Sequence, residues 1–173
     1  GSGVLAVIRE ALKIGLIDYR GRLVKLEDLA EDDKRRPFLK DIDGKSVIDL
    51  GEVYITKKDI RNIQLSKSAI MSGVVLLINK LGMTAEEVDD LYIAGQFGYH
   101  LSKDMLVDTY FIPNIEEEKI SYLKNTSLDG AISVVLSKKK RENLLSLSKK
   151  IKFLELSYDE NYQKVFIDCS YFK

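Results

Sequence analysis

A chain of 173 residues with 45% apolar and 31% charged side chains carries enough apolar surface for one ordinary core and reads as one soluble globular unit. Lysine plus arginine and aspartate plus glutamate number 27 each, a balance that argues against a nucleic-acid or membrane-surface role. With Cys169 its one cysteine and His100 its one histidine, the chain has no internal disulfide and no Cys/His metal site, and it suits a reducing cytoplasm.

Ser2 is placed to cap a helix to about Gly15, with Val4, Leu5, Ile8 and Leu12 on one face. Asp18-Tyr19-Arg20-Gly21 is turn chemistry, and the charge-rich stretch from Lys25 to Lys45 reads as a solvated excursion. Val47–Leu50 and Val53–Ile55 flank Gly51 as a hairpin. Thr56-Lys57-Lys58-Asp59 resembles a capping box and opens a long helix, Lys57 to Leu81, with Gly82 as its stop. The stripe expected to face the core is Ile60, Ile63, Ser66, Ile70, Val74, Leu77 and Leu81. Thr84-Ala85-Glu86-Glu87 reads as a second capping box opening a short helical turn.

Next comes the stretch Leu91-Tyr92-Ile93-Ala94-Gly95-Gln96-Phe97-Gly98. Its first four residues read as a buried strand, and Gly95 and Gly98 as a turn whose backbone a ligand can approach. A helix from Lys103 to about Tyr110 follows, with Ser102 as cap. Strand, glycine turn and helix leave backbone amides free to face an anion or a nucleotide, although a plain structural turn has the same signature. Lys119–Leu123 reads as a strand, Leu128–Leu136 and Lys138–Lys149 as helices, Ile151–Leu156 as a strand, and Asp159 as the start of a last helix. Tyr171-Phe172 is an aromatic end that should pack on something. Helix, strand, glycine loop and helix in that order is an α/β crossover pattern.

No carboxylate pair, Ser-His-Asp order, cysteine pair, Walker-type loop or Asp-x-Gly-Thr loop is present. Two elements are candidates to join the glycine loop. Gln64 and Lys67 lie three apart on the long helix and share a face, either toward a ribose or phosphate or toward solvent. Asn125-Thr126 follow the next strand, where Asn is also a common turn former.

These pieces together resemble a known family. They are Gly1-Ser2-Gly3 with its helix and Gly15-Leu16-Ile17-Asp18; Ile55-Thr56-x-Lys58-Asp59-Ile60-Arg61-x-Ile63-Gln64-Leu65-x-Lys67-x-Ala69-Ile70; and Tyr92-Ile93-Ala94-Gly95-x-Phe97-Gly98. Ile112-Pro113, Lys119-Ile120, Asn125-Thr126 and Gly130-Ala131 complete the set. The order is similar to the C-terminal part of the reductive activators of corrinoid proteins, the RACo-like and RamA-like proteins, and the resemblance covers nearly the whole chain.

The resemblance implies an α/β fold, the second lobe of an actin-like (ASKHA, ribonuclease H-like) ATPase domain with added helices, so that residues 1–173 are the C-terminal part of one such domain. It implies that the intact protein uses ATP and magnesium, carries a [2Fe-2S] cluster in an N-terminal domain, and reduces Co(II) to Co(I) in a corrinoid protein of a methyltransferase system. Gly95, Gln96, Phe97 and Gly98, with Gln64, Lys67 and Asn125, would line the adenosine side of the cleft. Gln96 stands where the usual loop has a second glycine, and Lys124 where many relatives have glycine. The phosphate loops and the cluster domain would lie upstream, leaving this chain alone without bound cofactor, ATPase activity or electron transfer. Expected partners are the corrinoid protein, the rest of its own ATPase domain and a second copy. The competing expectation is a nucleotide-independent module for dimerisation or for docking the corrinoid protein. A sugar-kinase-type phosphotransferase is a third, for which no substrate-specific residues are visible.

Overall fold

The computed structural model describes residues 2–95 and 101–172. Helix α1, Ser2–Lys13, buries Leu5, Ile8 and Ala11, one residue per turn on a single face. After Gly15 a bridge between Ile17 and Leu23 closes the Asp18–Gly21 turn.

The stretch expected to be a solvated excursion is more ordered than its charge suggests. It holds strand β1, Leu39–Ile42, which pairs antiparallel with β2, Lys45–Asp49. The connection is Asp43-Gly44, with φ of +52° and +72°. Positive φ at both central residues is the type I′ geometry that matches strand twist, and Asp-Gly is a favoured pair for it. Strand β3, Tyr54–Ile55, pairs with β2 across the Gly51 turn, as the sequence predicts. Leu29 and Leu39 from the charged stretch are buried in the core.

Helix α2, Lys57–Lys80, begins as the sequence predicts. The Thr56 hydroxyl accepts from the Asp59 amide at 3.2 Å, and the Asp59 carboxylate accepts from the Thr56 amide at 2.9 Å. Gly82, at φ +68°, ends it. The buried face is not the expected stripe. It consists of Ile60, Gln64, Lys67, Ser68, Met71, Ser72 and Leu76, whereas Ile70, Leu77 and Leu81 are exposed. Backbone carbonyls of the C-terminal segment pack here and give polar side chains partners. Of the second capping box only half forms, the Thr84 amide donating to the Glu87 carboxylate at 2.7 Å, and it closes a turn rather than a helix.

Strand β4, Leu91–Ala94, pairs in parallel with β5, Ile120–Leu123. Expected to be buried, β4 is only half covered, with Tyr92 exposed. A two-stranded ribbon cannot cover both faces of its strands. Between them lies α3, Lys103–Asp108, and after β5 come α4, Thr126–Leu136, and α5, Lys138–Ser148. The expected strand at Ile151–Leu156 does not form; the segment is irregular and ends in a single 3₁₀ turn at Leu156–Tyr158. Its alternation has no described partner strand to pair with, and Phe153 is exposed. The last helix, α6, Tyr162–Asp168, packs along α2, with the rings of Tyr162 and Phe166 5.8 Å apart.

Two apolar clusters result. One joins α1, the three-stranded sheet, Ile60 and Phe172; the other joins Leu5, α3, β4, β5 and the Phe111–Ile115 stretch. Ile63 of α2 packs against both. Arg9 ties α1 to α3 through Asp108, at 2.6 Å, and through Asp104. Helices α4 and α5 bury no residue, and Val135, Leu136, Leu144 and Leu145 are exposed.

Arg35 anchors the charged stretch to the end of α1. Its guanidinium donates to the Gly15 carbonyl at 3.1 Å and forms a forked pair with Asp33. The Arg35 hydrogen bonds hold the Asp33 carboxyl down from 3.8 to about 2. A depressed carboxyl stabilises the fold above its unfolded pKa, and that contribution disappears as pH falls through the folded value. Urea midpoints measured from pH 5 to 2 should therefore converge for wild type and Asp33→Asn between about pH 4 and 2; curves that stay parallel would contradict the pairing.

Candidate functional site

Parallel pairing places the C-terminal ends of β4 and β5 at the same edge, with Ala94 opposite Leu123. In open α/β sheets that edge is where ligands bind. One carbonyl organises it. The Lys124 oxygen accepts from the Gly95 amide at 3.1 Å and from the Thr126 amide at 3.0 Å. The exit of β4 and the start of α4 are thereby held side by side. Asn125 is the N-cap of α4, its side-chain oxygen accepting from the Leu128 amide at 3.1 Å. Gly95 sits at φ +93°, and a Cβ added to it would meet no described atom within 4 Å. Glycine is thus required by conformation, and among the described residues nothing fills the space before it.

The far side of the glycine stretch is also tied to β5. Tyr122 of β5 donates its hydroxyl to the Leu101 carbonyl at 2.5 Å. Burial, then the carboxylates of Asp104 and Glu117, pushes the Tyr122 phenol up from its usual value, which keeps it a proton donor. Gln96, Phe97 and Gly98 lie outside the described residues.

From the same edge a groove of about 780 Å³ runs between α4 and α5. Thr126, Ser127, Gly130, Ala131, Val134 and Leu144 line it. Its volume falls in the range of small-molecule sites, and its lining is mostly small, apolar and hydroxylated side chains, with Lys140 and Lys150 also on it.

Gln64 and Lys67 share a face, as their spacing predicts, but the face is neither solvated nor open. They are 4% and 0% exposed. Gln64 donates to the carbonyls of Ser170 at 2.9 Å and Arg20 at 3.0 Å. Lys67 donates to the carbonyls of Cys169 and Tyr171, both at 2.5 Å, and its ammonium lies 5.1 Å from the Tyr110 ring centre and 5.2 Å from that of Phe172. The structure therefore brings Gly95 and Asn125 together at the strand ends, and Gln64 and Lys67 together against the C-terminal segment.

Tyr122, the Lys124 carbonyl and Arg9 were not among the sequence candidates. Tyr122 and Lys124 act through strand pairing, which spacing does not reveal, and Arg9 meets partners almost a hundred positions away. Among the described residues no group of three or more His, Cys, Asp or Glu side chains could hold a metal ion.

Residues 1–173 match the family model described as the C-terminal domain of RACo, the ASKHA domain. The chain is 26% identical over 176 residues to the corrinoid activation enzyme RamQ of Eubacterium limosum, covering 96% of this chain and 30% of that protein. It is 27% identical over 151 residues to the [Co(II) methylated amine-specific corrinoid protein] reductase of Methanosarcina barkeri, covering 87% of this chain and 24% of that one. Among solved structures it resembles the reductive activator for corrinoid, iron–sulfur protein, with a TM-score of 0.83 and 26% identity over 99% of this chain and 28% of that chain. The chain thus spans less than a third of the length of these relatives.

Gly21, at φ +77°, supports this arrangement, since a Cβ on it would lie 2.6 Å from the Gln64 amide. That amide is fixed by its two carbonyl partners and cannot yield without losing them. Gly21→Ala should cost about 2–4 kcal/mol in urea unfolding, from left-handed strain plus lost hydrogen bonds; a loss under about 0.5 kcal/mol would mean the contact is soft.

Proposed function

Because the chain belongs to the family of RACo C-terminal ASKHA domains, we propose that it is the second lobe of an ATP-dependent reductive activator of corrinoid proteins and forms the adenosine side of the nucleotide cleft. The observation that carries this reading is the strand edge where Gly95 and the Asn125-capped start of α4 are clasped by the Lys124 carbonyl.

The residues present suit the adenosine part of a nucleotide. Gly95 offers approachable backbone, the start of α4 offers the hydroxyls of Thr126 and Ser127, and the groove beyond gives a mostly apolar surface for a flat ring. In this reading Gln96, Phe97 and Gly98 complete the wall, while Gln64 and Lys67 are taken up by the C-terminal segment. When bound, ATP and magnesium supply the free energy for an uphill one-electron reduction of cobalt from Co(II) to Co(I). The work of this chain is to bind and orient the nucleoside. An iron–sulfur cluster does not fit the residues here: it takes four thiolates, and Cys169 is the one cysteine, buried. In this reading the cluster, the electron transfer and the phosphate loops belong to other parts of a longer protein. A corrinoid protein of a methyltransferase system is the proposed partner and the cytoplasm the proposed location. No helix among the described residues is long and apolar enough to cross a membrane.

A second reading draws on the exposed apolar surface of α4 and α5, including Val135 at 72% and Leu136 at 79% exposure. Such a surface suits an interaction module that dimerises or docks the corrinoid protein without nucleotide. Calorimetric titration of a non-hydrolysable ATP analogue into the full-length protein separates the two. Gly95→Val should weaken binding at least about tenfold, or 1.4 kcal/mol, while Gln96→Gly should bind equally or more tightly. Equal affinity in wild type and Gly95→Val would remove the nucleotide reading and favour the second.

A further inference from the structure

We infer that the outer face of α5, with the residues that follow it, is a docking surface for an acidic face of a partner protein. The inference rests on the corrinoid-protein half of the reading above and adds the place and the chemistry of the contact; the groove stays with the nucleoside.

Charge is unevenly spread along the chain. Residues 137–152 carry seven lysine and arginine side chains against Glu142, a formal +6, so that in a chain balanced at 27 of each sign the other 157 residues sum to −6. The salt bridges among the described residues engage Arg9, Lys13, Lys25 and Arg35, and none of these seven. Four of the seven, Lys138 to Arg141, fill the first turn of α5, which holds no acidic residue. The positive end of the helix dipole repels them, and they repel one another. Ser137 caps the helix through the Lys140 amide, and Arg141 reaches the Val134 carbonyl at 3.1 Å, but no described carboxylate offsets the charge. A carboxylate-bearing surface brought from outside would.

The two faces of α5 differ. Lys140, Asn143, Leu144, Leu147 and Lys150 line the groove. Lys138, Arg141, Leu145 and Lys149 follow one another at three- and four-residue spacing, so they share a face, and none of them lines the groove. Leu145 is 61% exposed among these cations, and just beyond Lys149 the chain adds Ile151, Lys152 and Phe153, with Phe153 86% exposed. Apolar anchors inside a charged rim suit a protein–protein contact, in which the charges steer the partner and the apolar side chains hold it. The complementary face is acidic around an apolar centre. A membrane fits less well. A helix lying in a bilayer surface keeps its charges on one face, whereas Lys138 to Arg141 circle the α5 axis. The acidic remainder of the chain repels nucleic acid as it does an anionic bilayer.

The test uses the full-length protein with a purified corrinoid protein of a methyltransferase system, and compares wild type, Lys138→Glu/Lys149→Glu, Leu145→Ala and Lys40→Glu/Lys45→Glu. The last pair lies on β1 and β2, changes net charge equally and serves as control. Lys138→Glu/Lys149→Glu should slow association at least about tenfold at about 50 mM salt and flatten its salt dependence. It should leave Tm unchanged, because glutamate gains at the first turn of α5 what it loses at the last, and leave affinity for the ATP analogue within about twofold. Leu145→Ala should speed dissociation at least about threefold. The control should stay within about twofold of wild type in every readout. Equal slowing by both double variants, or unchanged rates in Lys138→Glu/Lys149→Glu, would overturn the surface. So would protection of Lys138 and Lys149 from acetylation in the free full-length protein, because the rest of its own chain would then cover them. Tighter binding of wild type to phosphatidylserine vesicles or duplex DNA than to poly-L-glutamate would overturn the choice of a protein. If wild type binds no corrinoid protein, that half of the reading fails by itself. Poly-L-glutamate then decides the surface: binding by wild type and control but not by Lys138→Glu/Lys149→Glu supports it, and equal binding by all three overturns it.

Discussion

An ammonium group with no exposed surface has to be satisfied by the protein around it. Lys67 stands in the middle of α2 at 0% exposure, and the carbonyls of Cys169 and Tyr171 and the faces of Tyr110 and Phe172 surround it. A buried charge without such partners is costly enough to disrupt a fold. Much follows from this requirement. The C-terminal segment has to cross α2 at this height, α6 has to lie along α2 to deliver it, and Phe172 then reaches the cluster shared by α1 and the antiparallel sheet. Gln64, one turn earlier, extends the same seam to the Asp18–Gly21 turn. The helix is therefore a polar spine with apolar flanks, which explains why it can carry a mixed buried face.

The strand pair β4–β5 is small and half covered, yet it has the one topological property that matters for ligand binding: both strands end on the same edge. Three polar contacts fix that edge, two to the Lys124 carbonyl and one from Tyr122 to Leu101. The proposed nucleotide wall thus depends on backbone geometry and on a tyrosine, with Lys140 and Lys150 among the side chains of the groove beyond. Phosphate chemistry and electron transfer are proposed to be housed in other parts of a longer protein.

Much of this was legible in the sequence. The Thr56–Asp59 box and Gly82 mark both ends of α2, because capping is a local matter of a few residues. The Gly51 hairpin and the helices at Thr126–Leu136 and Lys138–Ser148 follow from equally local signals. Asp43-Gly44 was readable too, as a type I′ pair, but the charges around it made the stretch look like loop, and β1 went unseen. The face of α2 was misplaced for a different reason. Hydrophobic periodicity assumes that the buried face is the apolar one, and here carbonyls from residues a hundred positions away make a polar face the buried one. The Ile151–Leu156 alternation misled in the opposite sense, since a strand pattern forms a strand only where a partner edge exists. At the strand edge, the turn at Gly95 and the cap at Asn125 are local chemistry that spacing reveals, whereas the surroundings of Gln64 and Lys67 depend on long-range contacts that spacing cannot supply.

Ligand is proposed to meet the strand edge, while the Gln64–Lys67 face of α2 is taken up by the C-terminal segment. Photolabelling of the full-length protein with 8-azido-ATP, mapped by mass spectrometry, tests this directly because the azide marks whatever lies against the adenine. Adducts should fall within residues 92–102 and 124–131 and be suppressed by excess ATP. Suppressible adducts confined to residues 60–70, or none at all within this chain, would contradict it.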